Sequence, residues 1–246
     1  EHPYFGCEYR YGENGDEFED ISLSFIYDYT FINDRLENLL KEGIDIPYGP
    51  NNNLSFKRFL FYTFVFRLFM SGVISKCDKI CVYPGHRVDS NNSIISDLCY
   101  LISRITRSQF EEDLIVRHSE APEYKDIRRR DRSVYPQINT IKLKNGVSVD
   151  GDTVLVIDDF TTSGSSLEAA RLLLRQGGAR KVFIVALGKF SADHTHANVR
   201  HEWDPNNPFP HGPSSVNESL VRVNITDDAD SHLRNTWRAA RRTAGN

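Results

Sequence analysis

Residues 154–166 read VLVIDDFTTSGSS, and this stretch decides the fold expected for the chain. It opens with four apolar residues, which are typical of a strand buried in a parallel sheet. Two adjacent carboxylates, Asp158 and Asp159, follow the apolar run, and small hydroxyl residues then surround Gly164. A helical pattern begins at about Ser166. Because ligands bind at the carboxyl ends of the strands in open α/β sheets, the stretch predicts a ligand site at this strand end.

The loop after the two carboxylates has the composition of a phosphate-binding loop. Its small side chains let a phosphate approach the backbone, its amides and hydroxyls can donate hydrogen bonds, and the start of the helix adds positive potential. A ligand that carries both a phosphate and a sugar diol explains why carboxylates stand beside an anion site. Carboxylates accept hydrogen bonds from hydroxyls and, directly or through water, favour Mg²⁺.

A plainer alternative is an acidic turn followed by a helix cap. In that interpretation Ser165 or Ser166 is the N-cap residue, and Glu168 completes a capping box with Ser165. The cap accounts for the serines, but it does not account for the two carboxylates ahead of them. We therefore prefer the phosphate site.

Short β-branched segments alternate with longer helical ones from about residue 79 onward. The apolar pattern predicts strands at 79–83, 114–116, 138–143, 153–157 and 181–187, and helices at 93–107 and 165–176. The glycines at 177 and 178 supply a stop signal for the second of these helices. This alternation predicts an α/β fold, with a mainly parallel sheet flanked by helices on both faces.

The composition excludes several classes of protein. Of the 246 residues, 39% are apolar and 26% are charged, which is typical of an ordinary globular protein and not of a disordered, fibrous or disulfide-rich one. With 30 Lys and Arg against 34 Asp and Glu, the formal net charge is −4, which disfavours a broadly basic nucleic-acid binder. We recognise no signal-peptide pattern and expect a cytoplasmic protein.

The four cysteines lack the spacing of a structural zinc site. They are Cys7, Cys77, Cys81 and Cys99, and no Cys-x-x-Cys pair occurs among them. We therefore expect reduced thiols. Cys77 and Cys81 flank the start of an apolar segment, where a buried cysteine acts as a small hydrophobic residue.

An aromatic-rich stretch at 59–70 invites a membrane interpretation. A membrane span needs about 20 predominantly apolar residues, whereas this run is shorter and Arg67 interrupts it. Polar residues 51–53 precede it and Gly72 follows it, which indicates a helix start and stop. We expect a buried helix of a soluble protein, with an oligomer interface as the alternative.

The C-terminal region carries histidines and basic residues without a clear motif. Residues 191–216 have no convincing helical or strand period. His194 and His196 could place two imidazoles on one strand face as metal ligands, but we prefer surface histidines in a loop. Residues 229–243 predict a solvated basic helix, with a nucleic-acid patch as the less favoured alternative.

Residues 154–166 resemble the thirteen-residue signature of the type I phosphoribosyltransferases. The resemblance implies that Asp158 and Asp159 contact the ribose 2′- and 3′-hydroxyls of phosphoribosyl pyrophosphate (PRPP). It also implies that the loop holds the 5′-phosphate of PRPP through Thr161, Thr162, Ser163, Gly164, Ser165 and Ser166. Thr161, Ser163 and Ser166 depart from the usual residues of the signature, but they keep a hydrogen-bonding loop.

Two further segments resemble the family in their order along the chain. A segment similar to the pyrophosphate loop consists of Tyr83, Pro84, Gly85, His86 and Arg87; its alternative is an ordinary Pro-Gly turn. Residues 118–137 are similar to the flexible loop that closes over PRPP, and its cations are Lys125, Arg128, Arg129, Arg130 and Arg132. The alternative for this segment is a solvated charge run.

Within the family, the layout most resembles the competence-protein-F-like branch. The cysteine-rich zinc module of that branch is not matched, because Cys7 stands alone. Thr162 occupies the position where the branch that uses 6-oxopurines has an aspartate, which disfavours hypoxanthine and guanine as acceptors. The resemblance implies a phosphoribosyltransferase core at 73–190 with two additions: an N-terminal extension at 1–72, which could form a hood or an interface, and a C-terminal extension at 191–246.

The activity implied by the resemblance is that of a glycosyltransferase of nucleotide metabolism. It would transfer the phosphoribosyl group of Mg²⁺-bound PRPP to a base or amine and release pyrophosphate. Its catalytic residues would be Asp158, Asp159, Arg128, Arg129 and Arg130, with Mg²⁺ held by PRPP and reached by the two aspartates through water. The alternative is a PRPP- or nucleotide-sensing regulatory module without turnover. We expect a homo-oligomer or a subunit of a complex, and neither nucleic acid nor a membrane as a partner.

Overall fold

The computed structural model describes residues 7–12, 20–27, 56–91, 93–121, 133–225 and 239. The strands in these ranges are β1 (Cys7–Arg10), β2 (Ile21–Tyr27), β3 (Lys79–Val82), β4 (Gln109–Phe110), β5 (Ile115–Arg117), β6 (Ile141–Leu143), β7 (Thr153–Thr161), β8 (Lys181–Lys189), β9 (Asp193–Val199), β10 (Val216–Arg222) and β11 (Asn224–Ile225). The α-helices are α1 (Phe56–Met70), α2 (Ser93–Thr106), α3 (Tyr135–Ile138) and α4 (Ser165–Gln176). Two 3-10 helices cover Ile74–Lys76 and Pro213–Ser215.

Seven strands form a central sheet in the order β11-β1-β2-β8-β7-β3-β4. The five strands from β2 to β4 in this order are parallel to one another. Strand β1 is antiparallel to both β2 and β11. The predicted α/β fold with a mainly parallel sheet is therefore confirmed. The sheet also extends beyond residues 73–190, because β1 and β2 precede that range and β11 follows it.

Both faces of the sheet are covered, as the continuous apolar strands predict. Side chains alternate between the faces of a strand, and in β7 Leu155 and Ile157 belong to the apolar cluster that contains side chains of α1 and α2. Val154 and Val156 belong to a second cluster, which contains side chains of α4. The carboxyl end of β7 thus extends from a strand that is buried on both faces.

Two predicted elements differ from the structure. At 138–143 a strand was predicted, but the strand β6 covers only Ile141–Leu143. Residue 138 instead ends the short helix α3, which has a proline in its first turn, where helices tolerate it. At 191–216 a loop with surface histidines was predicted, and this is wrong. The segment contains β9, which pairs with β10 and buries His194 completely.

Helix α1 is buried on one side only. Phe64 and Leu68 lie in the core, whereas Tyr62, Phe66 and Phe69 are more than half exposed. Among the described residues, no helix combines the length and the apolar character that crossing a bilayer requires. The predicted burial of this helix is therefore confirmed for its inner face.

Cys77, Cys81 and Cys99 are buried free thiols, as predicted for Cys77 and Cys81. Burial raises the pKa of Cys77 to about 12, so this thiol stays protonated near neutral pH. The three side chains of Cys77, Cys81 and Cys99 therefore act as small hydrophobic residues of the core.

Candidate functional site

The sheet has a topological switch point between β3 and β7. The chain leaves β3 towards β4 on one side and later returns to form β7 on the other side. Ligands of open α/β sheets bind at such points, beyond the carboxyl ends of the strands. Residues 83–87 follow β3, and residues 158–166 end β7 and lead into α4. The structure therefore brings two of the predicted site segments together.

The acidic pair lies within the end of β7. Both carboxylates are partly buried, and backbone amides fix one oxygen of each: Asp159 N–H donates to Asp158 Oδ1 at 2.8 Å, and Phe160 N–H donates to Asp159 Oδ1 at 2.5 Å. Burial and the neighbouring charge of Asp159 raise the pKa of Asp158, and Arg117 opposes the shift. A hydroxyl donor or a cation at this position would relieve the repulsion between the carboxylates.

Carboxylate oxygens are ligands that suit Mg²⁺, so the chemistry of the pair fits the predicted metal. In the part of the chain that the structure describes, no group of three or more His, Cys, Asp and Glu side chains is placed to hold a metal ion. The prediction that Mg²⁺ is held chiefly by PRPP stays a prediction.

Gly164 makes the turn from the strand into α4. Its φ of +82° lies in the left-handed region, which favours glycine. It is also the N-cap residue of α4, and no side chain caps the helix there. The alternative interpretation, a capping box of Ser165 and Glu168, is therefore wrong, because the Glu168 carboxylate accepts from Arg171 and from the amide of Ala197 instead. The first amides of a helix lack partners within the helix, which leaves those of α4 for a ligand or solvent.

Strand β9 contacts the loop between β7 and α4. Thr195 N–H donates to the carbonyl oxygen of Ser163 at 2.6 Å, and the Thr195 hydroxyl lies 3.1 Å from that of Ser165. The Ser163 and Ser165 hydroxyls lie 3.0 Å apart, and both serines are buried. Thr162 and Ser166 are only partly buried. The predicted phosphate residues thus divide into hydroxyls that stabilise the loop and hydroxyls that a ligand could reach.

Thr161 and Lys189 lie at the paired ends of β7 and β8. Thr161 is buried, and its carbonyl accepts from Phe190 N–H at 3.0 Å. Lys189 is 2% exposed, and its ammonium donates to the Thr162 carbonyl at 3.1 Å. This buried cation beside the loop was not predicted. Its one sequence signal is a lysine that follows the apolar run of a strand after a single glycine.

The segment after β3 is a tight turn with two exposed basic side chains. Tyr83 and Pro84 are buried, whereas His86 and Arg87 are exposed. Gly85 N–H donates to the Ser90 carbonyl at 2.7 Å, and a Cβ on Gly85 would lie 2.7 Å from the same oxygen. The turn therefore requires glycine at this position.

The side chain of Tyr83 turns inward. Its hydroxyl donates to Gln137 Oε1 at 2.8 Å and contacts the Ser166 side chain, which links the two site segments. A surface pocket of about 320 Å³ opens beside the turn, with both acidic and basic side chains in its wall. Its lining includes Pro84, Asp89, Asn91, Asp113, Arg117 and Lys144.

Arg117, at the end of β5, binds the backbone of the turn at 83–87. It is 5% exposed and donates through Nε to the Gly85 carbonyl and through Nη2 to the Pro84 carbonyl at 3.4 Å. It also donates to Thr140 Oγ1 and, at 3.3 Å, to Gln137 Oε1. Arg117 was not predicted as a site residue, although a single arginine between an apolar strand and a polar segment is a signal for it.

The basic segment at 118–137 is described only at its two ends. Ala121 N–H donates to the His86 carbonyl at 2.9 Å, so the segment starts beside the turn. It ends at α3, beside Gln137. The predicted cations Lys125, Arg128, Arg129, Arg130 and Arg132 lie outside the described residues, as does the predicted basic helix at 229–243 apart from Ala239.

No family model and no curated protein matches this chain.

Proposed function

We propose that this protein binds Mg²⁺-PRPP at the switch point between β3 and β7 and transfers the phosphoribosyl group to a nitrogen nucleophile. The observation that carries the proposal is the meeting of a fixed acidic pair with the uncapped start of α4 at one strand end. A diol and a phosphate on one ligand satisfy both groups. We also propose the type I phosphoribosyltransferase fold, supported by the order of the turn, the basic segment and the acidic pair along the chain.

Each group would act on one part of PRPP. Asp158 and Asp159 would accept hydrogen bonds from the ribose hydroxyls and orient the sugar. The first amides of α4, Thr162 and Ser166 would hold the 5′-phosphate, with Lys189 adding positive potential. The exposed side chains of His86 and Arg87 would donate hydrogen bonds to the pyrophosphate group.

The chemical step breaks the bond from ribose C1 to pyrophosphate and forms a bond from C1 to the acceptor nitrogen, which then loses its proton. Positive charge develops on the sugar and negative charge on the leaving group. Bound Mg²⁺ would neutralise part of the pyrophosphate charge. Preorganised donors on residues 83–87 and the cations Arg128, Arg129 and Arg130 would stabilise the rest.

A second candidate is a PRPP- or nucleotide-sensing module of a larger complex. The observation in its favour is the exposed apolar side of α1, where Tyr62, Phe66, Phe69 and Met70 are between 46% and 59% exposed. Exposed apolar patches commonly mark interaction sites. The same surface would serve a homo-oligomeric enzyme.

Pyrophosphate release separates the two candidates. Wild-type protein would be incubated with Mg²⁺-PRPP and a panel of bases and amines, while PRPP binding is measured separately by calorimetry. Release with one acceptor supports the transferase. Binding without release for any acceptor supports the sensor, and the absence of PRPP binding contradicts both.

The basic segment provides a second discrimination. In an enzyme, replacing Arg128, Arg129 and Arg130 by Ala should lower the single-turnover rate far more than it lowers PRPP affinity, because these cations act near the transition state. In a sensor, the same variant should change PRPP affinity or partner binding alone. Equal single-turnover rates for the variant and the wild type would count against a catalytic role of this segment.

A further inference from the structure

A buried polar cluster lies behind the proposed phosphate loop and joins three distant parts of the chain. We define it as Tyr11, which follows β1, Glu168 and Arg171 of α4, and His194 of β9. Glu168 and His194 are 0% and 1% exposed, and Arg171 is 7% exposed. Charged groups are rarely buried to this degree unless they are paired.

His194 contacts the loop at its glycine. A Cβ built on Gly164 would lie 2.7 Å from Nδ1 and 2.8 Å from Cε1 of His194. No real Cβ could occupy that position unless the imidazole moved. The ring therefore packs directly against the α-carbon that has the positive φ.

The cluster also fixes the orientation of the His194 ring. Arg171 donates to both oxygens of Glu168, at 2.8 and 2.9 Å, so the guanidinium pairs with both carboxylate oxygens. The Tyr11 hydroxyl donates to Glu168 Oε2 at 2.6 Å, so its oxygen is left to accept from His194 Nε2–H, also at 2.6 Å. Nε2 therefore carries the ring proton, and Nδ1, which faces Gly164, has a lone pair.

Charge around the ring supports the neutral form. Burial lowers the pKa of His194, and the cations Lys189 and Arg171 lower it further, so the imidazole carries no charge at neutral pH. A neutral ring can pack closely against the backbone without a counter-ion.

We propose that His194 is a positioning residue for the phosphate loop: its ring, held by Tyr11 and Glu168, keeps Gly164 in the left-handed conformation and so aims the first amides of α4 at the 5′-phosphate. The inference rests on the proposed function, because it assigns these amides to a phosphate. It adds a requirement that residues 154–166 alone do not reveal, since the hydroxyl of Tyr11 comes from a strand end more than 150 positions earlier in the chain.

Tyr11→Phe is the variant that tests this role. It keeps the ring, which Arg171 contacts at 4.2 Å from its centroid, and it leaves Glu168 bound to Arg171 and Ala197. It removes the hydroxyl that orients His194 and that also donates to Glu168 Oε2. Tyr9→Phe is the matched control, since the Tyr9 hydroxyl lies 2.9 Å from His196 Nδ1 and the variant keeps the ring that packs against His194.

The readout is the calorimetric affinity for two probes, ribose 5-phosphate and Mg²⁺-pyrophosphate, on the full chain. Tyr11→Phe should lower ribose 5-phosphate affinity about tenfold, the size expected for losing one well-placed hydrogen bond to a polar partner, and should leave Mg²⁺-pyrophosphate affinity unchanged. A purely structural role would weaken both probes together or neither, and either result overturns the inference.

A second variant keeps the inference testable if Tyr11→Phe folds poorly. His194→Gln retains a polar side chain without the ring and should show the same selective loss. If wild-type protein binds Mg²⁺-PRPP but Tyr11→Phe and His194→Gln bind ribose 5-phosphate as the wild type does, the positioning role is wrong and the proposed function stands. If the wild type binds none of the three ligands, both are wrong.

Discussion

The two segments that meet at the switch point are held in place by different means. Strand β9 supports the loop at 162–166, because Thr195 contacts Ser163 and Ser165 and His194 packs against Gly164. At the turn of residues 83–87, Arg117 donates to two backbone carbonyls, while the basic side chains stay exposed. We therefore expect substitutions behind the loop and substitutions at Arg117 to affect the binding of different parts of the ligand.

The largest expected effect comes from the acidic pair, Asp158 and Asp159, at the end of β7. Replacing Asp158 and Asp159 by Asn should weaken Mg²⁺-PRPP binding by about a thousandfold, because two charge-assisted hydrogen bonds of roughly 1.5–3 kcal/mol each are lost. Calorimetric titration measures this loss.

The same double variant should be more stable than the wild type without ligand. Because burial and Asp159 raise the pKa of Asp158, the ionised pair is unfavourable in the folded protein. Relief of this repulsion should raise the free energy of unfolding by about 1 kcal/mol. A destabilised variant, or one that binds PRPP as tightly as the wild type, would contradict the assignment of the pair.

Arg117 should be the critical residue of the second segment. Arg117→Ala removes the buried donor of the Pro84 carbonyl, Thr140 and Gln137. It should lower the free energy of unfolding by about 3 kcal/mol and weaken the binding of Mg²⁺-pyrophosphate more than that of ribose 5-phosphate. Denaturant unfolding and the two titrations measure these effects. Arg87→Ala, on the same turn but exposed, is the control and should leave stability unchanged. Equal losses for the two probes would show that Arg117 does not act on the turn in particular.

Because His194 is buried behind the phosphate loop, the free energy of unfolding should fall in acid. The pKa of His194 is lowered in the folded protein, so the unfolded chain binds its proton more readily. Above the unfolded pKa of about 6.5, His194 is neutral in both states and does not reduce the free energy of unfolding. Below it, the unfolded chain takes up a proton that the folded chain does not, so the free energy of unfolding falls by up to about 1.4 kcal/mol per pH unit. The wild-type curve of unfolding free energy against pH should lose this component in His194→Gln.

His86→Gln, on the exposed turn, is the matched control for the acid experiment. Its stability curve should follow that of the wild type. Curves for wild type and His194→Gln that run parallel between pH 5 and 7 would contradict the buried, neutral state of His194.

The smallest effects should separate two neighbouring hydroxyls of the loop. Thr162 is partly exposed, so Thr162→Val should lower ribose 5-phosphate affinity by about fivefold with little change in stability. Ser163 is buried against β9, so Ser163→Ala should lower the free energy of unfolding by about 1 kcal/mol, with a smaller effect on affinity. The opposite pattern would show that the loop binds its ligand through the buried side.

The sequence predicts those features that depend on local pattern. The four apolar residues of β7 and the period of α4 identify these elements, and the carboxylates that follow the strand identify the site. The period does not reveal β9, because its buried positions include His194 and Thr195, whose burial is possible only with partners from α4 and β1. Arg117 and Lys189 escape prediction for the same reason, since the burial of a charge depends on contacts that are distant in sequence.

An amide NMR titration of the ¹⁵N-labelled chain would locate the binding site of Mg²⁺-PRPP, which we expect where β3 and β7 end. On addition of Mg²⁺-PRPP, the largest chemical-shift changes should occur at the amides of residues 158–166, with smaller ones at 83–87. Ribose 5-phosphate should shift only the first group, and Mg²⁺ alone should shift neither to the same extent. Saturable shifts confined to other residues, or no shifts at Gly164 and Ser165, would show that Mg²⁺-PRPP does not bind at this strand end.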